Sequence, residues 1–284
     1  MHIFPDHLRM FEEFVSSGNP SEAITTSAGL ADALLAIGLG LEHRGLIVAP
    51  GSGGSGAGVG EEPPSAMAYH HHLSLILLFH PDIQVRNAAT ALAGTVFHGF
   101  EPDPAKRFEI LEDLFVNCEF APLKACAVQW LKEEMISARK AGAGVAASSS
   151  SSSTTAPSQP TSNPFTSPDN LDRLQHYIFP DLTPLSGSGS ESESLPEFWA
   201  ANGVFLLQAA NFAYFLFAGF REALPSGMGA AVEHRFADPL IAAAAKLESP
   251  ARTGDGAGPE NGEGEGGLST LGFAVDRLRD VQFH

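Results

Sequence analysis

The feature that most constrains this chain is the punctuation of residues 63–140, where four apolar stripes at helical spacing are separated by residues that start or stop helices. Pro63 and Pro64 precede Tyr69, Leu73, Ile76 and Leu77, which recur three and four positions apart as one helix face requires. His80-Pro81-Asp82 breaks that run, and Asp82 is placed to cap the next helix with its carboxylate. The second stripe, Ile83, Val85, Ala89, Leu92 and Val96, is expected to stop at His98-Gly99. Asp103-Pro104 pairs a capping residue with the proline favoured at the first helical position, and opens a third helix with Phe108, Leu111 and Phe115 on one side, ending at Asn117. A fourth begins near Pro122 and carries Leu123, Cys126, Ala127, Trp130 and Leu131, with Lys124, Lys132 and Glu133 off the stripe. Nothing in this block alternates with the period of a strand. Short connections between such helices predict antiparallel hairpins, at roughly 40 residues per pair.

The string Pro81-Asp82-Ile83-Gln84-Val85-Arg86-Asn87-Ala88-Ala89 resembles the junction of a HEAT repeat: a turn proline, a capping aspartate, then Val-Arg and a small alanine. In such a junction Arg and Asp tie neighbouring repeats together while Ala permits close helix approach. Further helices are expected at 5–17, 21–43, 169–178, 196–223, 230–247 and 268–282. The fold class is therefore all-α, with HEAT/armadillo-like stacked helical hairpins (an α-solenoid) interrupted by low-complexity disordered spacers. The organisation expected is a short helical segment at 1–50, a Gly/Ser linker at 51–62 and the helical-repeat block at 63–140. A Ser-rich spacer at 141–168 follows, then a second helical block at 169–253 with a loop at 186–194, a Gly/Glu-rich loop at 254–267 and a last helix at 268–284. Tracts of Gly, Ser and Glu bury too little apolar surface to offset chain entropy.

Sixteen basic residues stand against 33 acidic ones, a net charge of −17, and no lysine-rich or arginine-rich run appears. That disfavours nucleic-acid binding, which needs a basic footprint to neutralise phosphates. Residues 63–140 hold seven basic and nine acidic groups and 201–253 hold four of each, so the acidity lies in the ends and spacers. Two cysteines are too few for a disulfide framework, and His2, Asp6 and His7 interrupt any apolar signal region. A reducing intracellular compartment is the expectation.

No catalytic constellation is found. His70-His71-His72 and His80 suggest metal ligands, but consecutive helical residues point about 100° apart, so only His72 and His80 could share a face, and no Cys or acidic residue lies four positions on from either. No metal and no cofactor is expected. Cys118 and Cys126 are not a CxxC pair and read as ordinary core thiols, and Trp130 and Trp199 as core anchors. The glycines at 51–60 lack the preceding strand and following Lys-Ser/Thr of a phosphate loop. Phe198 to Phe220 contains no charged residue over 23 positions, long enough for a membrane span. Against a span stand Asn202, Gln208 and Asn211, and the lack of basic clusters at its ends; a helix buried in a large helical array gives the same string.

Three blocks carry a resemblance: Phe108 to Glu134, including the helix PLKACAVQWLKEE; Tyr177-Ile-Phe-Pro-Asp-Leu182; and Phe205 to Leu216. In order and spacing they resemble the C-terminal half of the fungal AP-1-binding and kinetochore-associated proteins, grouped with animal glomulin and the plant aberrant-lateral-root-formation protein, over roughly 65–220. The resemblance implies a soluble, non-enzymatic HEAT-like scaffold, cytoplasmic and also nuclear, with 198–220 a buried helix. Its implied partners are an AP-1-type bZIP factor or that factor's peroxidase sensor in the response to oxidative stress. Kinetochore subunits, or a RING subunit of cullin ligases, are the other partners it implies. Family members are usually much longer ahead of the matching part, so a truncated gene model or shortened paralogue is expected. The resemblance transfers no binding residue; Arg86, Lys124 and Lys132 are the expected exposed contacts. An integral membrane protein spanning at 198–220 is the alternative from the residues alone.

Overall fold

The computed structural model describes residues 1–16, 18–47, 66–100, 103–148, 163–186, 195–248 and 265–283, and among these every regular element is helical. The chain divides into two compact units, Met1–Leu111 and Glu112–His284. The Gly/Ser linker at 51–62 lies outside the described residues, as do 149–162, 187–194 and 249–264.

In the first unit a single π-helical turn over Ile3–His7 leads into α1 (Leu8–Ser16), followed by α2 (Pro20–Thr26), α3 (Ala28–His43), α4 (Ala66–Phe79) and α5 (Ile83–Phe100); α6 (Pro104–Asn117) crosses the division. The single helix expected at 21–43 is two helices, α2 and α3, bent by 94°. The cause is local. Thr25 and Thr26 donate their hydroxyls back to the carbonyls of Ser21 and Glu22 (2.9 and 2.7 Å), a competition that bends helices, and Ser27 leaves the helical region at φ −114°, ψ 42°. At its other end α3 stops on Gly45 in the left-handed conformation (φ 65°), with Leu46 N–H donating to the Leu41 carbonyl and Gly45 N–H to that of Glu42.

The α4–α5 hairpin follows the sequence expectation. Asp82 caps α5 by accepting from Gln84 N–H at 2.7 Å, and Asp103 caps α6 through Ala105 N–H at 2.9 Å. Gly99 does not stop α5, which continues to Phe100 in helical conformation. α5 packs on α3 and α4, and α4 packs on α1 and α2. Tyr69, Leu73, Ile76, Leu77, Leu92 and Val96 form the core between them. Where α3 meets α5, Gly38 is obligatory: a Cβ there would lie 2.7 Å from His7 Cε1 and 2.8 Å from Leu92 Cδ2.

The second unit contains α7 (Ala121–Ser148), a 3₁₀ turn at Pro164–Thr166, α8 (Pro168–Ile178), α9 (Thr183–Ser186) and α10 (Leu195–Gly219). Then come α11 (Met228–Val232), a π turn at Glu233–Ala237, α12 (Asp238–Glu248) and α13 (Glu265–Arg279). Three spacer boundaries are corrected. The helix before the Ser run extends eight residues further, to Ser148. The described residues resume at Asn163, whose side chain accepts from Phe165 N–H at 3.0 Å. The last helix starts at Glu265 rather than 268, and the helix expected at 196–223 ends at Gly219 before a 3₁₀ turn.

Two layers are evident here. Lys124, Lys132 and Arg139 of α7 stand over Phe205, Phe215 and Phe220, so α7 and α10 run in the same direction. Trp199 donates to Thr270 at 3.3 Å, Arg277 stands over Tyr214 and Phe283 packs on Phe217, so α13 also runs that way. In the other layer Arg173 of α8 pairs with Glu112 of α6 at 2.7 Å. Arg235, in the turn before α12, donates to the Phe179 and Gln175 carbonyls at the end of α8 (3.1 and 3.0 Å). Equivalent helices of successive hairpins running parallel, side by side, is the geometry of a stacked helical array.

Candidate functional site

The α7–α10–α13 layer carries a groove of about 480 Å³ over α10. Its floor is Gln208, Asn211, Tyr214, Phe215 and Ala218, which recur at three- and four-residue spacing and so form one strip of α10. Lys132 of α7 stands on one side, its ammonium 5.4 Å from the Phe215 ring centre. Arg277 of α13 stands on the other, 5.4 Å from that of Tyr214. Lys124 and Arg139 extend the α7 wall, 5.7 and 4.8 Å from the rings of Phe205 and Phe220. Positions 124, 132 and 139 are eight and seven residues apart and therefore share one face of α7. Arg139 also donates to the Gly219 carbonyl.

Cations over ring faces are attracted by the ring quadrupole and held in place, yet keep their charge. Among the described residues none of Lys124, Lys132, Arg139 and Arg277 pairs with a carboxylate, and neither Gln208 nor Asn211 spends its side-chain amide on a hydrogen bond. The groove thus presents fixed positive charge, two unspent amides and two aromatic rings. The convergence of this cluster was invisible in the linear sequence, because Arg277 of α13 is far along the chain from the three α7 cations.

Of the three expected contacts, Lys124 and Lys132 meet on this wall, while Arg86 lies in the first unit; all three are half-buried. Arg86 makes no tie between repeats through its Nε, which is buried without a hydrogen-bond partner among the described residues. Arg235 performs that task in the second unit, and a lone arginine in an Ala-rich run gives no sequence signal for it.

Of the histidines of the first unit, His7, His70 and His80 are buried and His72 is half-buried. His7 is wedged between α3 and α4, with Nε2 2.8 Å from the Leu34 carbonyl and Nδ1 2.8 Å from the Tyr69 hydroxyl. A carbonyl can only accept, so Nε2 carries the proton and Nδ1 accepts from Tyr69. Burial pulls the His7 pKa down, partly opposed by that carbonyl, and pushes the Tyr69 hydroxyl up. His70 is buried against Phe97, and burial, with smaller contributions from His71 and His98, drives its pKa down to about 3. His72 stacks on Phe11, whereas His80 accepts from Asp82 N–H at 3.1 Å and lies 3.1 Å from Asp32, out of line for a hydrogen bond. Among the described residues no three His, Cys, Asp or Glu gather as metal ligands. Cys118 and Cys126 are half-buried free thiols with pKa values raised by burial. Trp130 and Trp199 are buried.

Residues 1–280 match the model of an uncharacterised protein family, YAP/Alf4/glomulin. The chain belongs to this family. No curated protein and no solved structure matches it. The match extends the resemblance from 65–220 to nearly the whole chain, so the first unit is part of the YAP/Alf4/glomulin domain. The three resembling blocks are α6 with the first half of α7, the end of α8 with the turn after it, and the centre of α10; the first supplies Lys132 to the groove and the third most of its floor. α10 has the length and mean hydropathy (1.3) to cross a membrane; 44% of that window is buried, and α7 and α13 pack along it.

Proposed function

We propose that this chain is a non-enzymatic, protein-binding scaffold that regulates an AP-1-type bZIP transcription factor in the response to peroxide, acting in the cytoplasm and nucleus rather than in a membrane. The observation that carries the scaffold reading is the groove over α10, where preformed cations, amides and rings face outward on a family domain of stacked helices. Peroxide signalling rests on the resemblance of Phe108 to Glu134, Tyr177 to Leu182 and Phe205 to Leu216 to the AP-1-binding branch. Co-purification of the tagged full chain from peroxide-treated cells tests it. Recovery of an AP-1-type factor or its sensor peroxidase is expected, and recovery of neither removes the pathway. Carbonate extraction tests the compartment: the chain is expected in the supernatant, and retention in the pellet overturns that part.

A further inference from the structure

We propose that the groove over α10 is a docking site for an acidic amphipathic helix of a partner protein, whose carboxylates, seven or eight residues apart, engage the α7 and α13 cations. This rests on the scaffold reading and adds the chemistry of the partner.

The argument is one of charge and spacing. The chain carries −17, so its bulk field repels an acidic segment. Yet on this face Lys124, Lys132, Arg139 and Arg277, a quarter of the 16 basic residues, stand together and are unmatched by any carboxylate among the described residues. No carboxylate lines the groove itself. Four cations left unneutralised in an acidic protein are complementary to anions brought from outside. At a rise of about 1.5 Å per residue, Lys124, Lys132 and Arg139 are roughly 12 and 10.5 Å apart along α7. A partner helix lying in the groove presents residues i, i+8 and i+15 at the same intervals, so its carboxylates meet these positions in register. Its apolar edge then lies on Tyr214 and Phe215, and Gln208 and Asn211 supply hydrogen bonds at the floor. A phosphate backbone is the other anion of this kind. Four cations beside a −17 chain give it little net attraction.

A random-peptide display selection on the purified full chain tests this directly. Enriched peptides are expected to carry net negative charge, with Asp or Glu at seven- or eight-residue spacing around an aromatic or Leu. A synthetic copy of the leading peptide is expected to bind at least tenfold more weakly to Lys132→Glu/Arg277→Glu. Because those cations also pack on rings, Gln208→Glu/Asn211→Asp serves as a second variant that alters only the floor, with the same tenfold loss expected. Unchanged melting temperatures identify the variants that report on binding. Enrichment without acidic bias, or acidic peptides that bind both variants as tightly as the parent, overturns the assignment, as does a single-stranded oligonucleotide that displaces the peptide at lower concentration than the peptide itself. These failures concern the groove alone; the scaffold reading fails separately, when co-purification recovers no partner.

Discussion

Acid should unfold this protein through His70. The folded state binds a proton on His70 only near pH 3, because the ring is buried against Phe97 with His71 and His98 close by; the unfolded chain binds it at the ordinary 6.5. The folded pKa is depressed, so the stability it contributes is fully present above 6.5 and is lost as pH falls from 6.5 towards 3. At pH 5 the unfolded state holds this proton almost completely and the folded state hardly at all, which costs about 2 kcal/mol for this one group. His7 and His72, both lowered by burial, add losses in the same direction. The measurement is urea unfolding of the parent and His70→Leu at pH 7.5 and 5.0. Leucine changes the baseline stability, but the quantity of interest is the difference between the two pH dependences. The parent should lose about 2 kcal/mol more than His70→Leu between those pH values. Parallel losses in the two proteins, or a His70 ring signal titrating near 6.5 by NMR, would refute the reasoning.

Gly38→Ala forces a methyl group against His7 and Leu92, and should lower stability by about 2 kcal/mol, read as a fall in melting temperature; an unchanged melt contradicts the α3–α5 contact. Asp82→Ala removes the α5 cap and should cost about 1 kcal/mol in urea unfolding, with Asp82→Asn nearly neutral. Arg235→Lys cannot reach the Gln175 and Phe179 carbonyls as a fork, and should cost about 2 kcal/mol and speed amide exchange at the end of α8; protection equal to the parent's would mean that the arginine is not the tie.

Much of the helical framework was legible because capping chemistry is local. Asp82, Asp103 and Pro104 announce their helices through groups two residues away, and the stripes of α4 and α8 became the core as spaced. The errors share a different cause: they turn on competition that a periodicity cannot register. Thr25 and Thr26 fit an apolar helix by position but divert its carbonyls, and Ser27 leaves the helical region, so one expected helix is two. Gly99 looked like a stop, but glycine ends a helix only where the chain turns left-handed, which happens at Gly45. The groove was legible only in its parts. Lys124 and Lys132 were visible as residues off the stripe, and Gln208 and Asn211 as polar intrusions in an apolar run. Their convergence with Arg277 depends on α7, α10 and α13 being parallel neighbours, and no local signal encodes that.

The apolar run at 198–220 can now be weighed by the strip it leaves uncovered. A helix in the middle of a layer has two flanks taken by its neighbours and one face turned to the opposite layer; only the fourth strip chooses its environment. On α10 that strip holds Val204, Gln208, Asn211, Tyr214 and Ala218, the last four flanked by Lys132 and Arg277. Facing hydrocarbon, the two amides would lie there without partners, each at a cost of several kcal/mol. Facing water or a partner they cost nothing and can donate and accept. Much of the apolar surface of α10 is covered by α7 and α13, Val204 is left exposed, and its polar minority sits where a ligand would touch it. The same residues that argue against a membrane span are therefore the floor of the proposed docking site, and one pair of substitutions, Gln208→Leu/Asn211→Leu, separates the two readings. They should weaken peptide binding in the scaffold, and should strengthen membrane retention if α10 spans a bilayer.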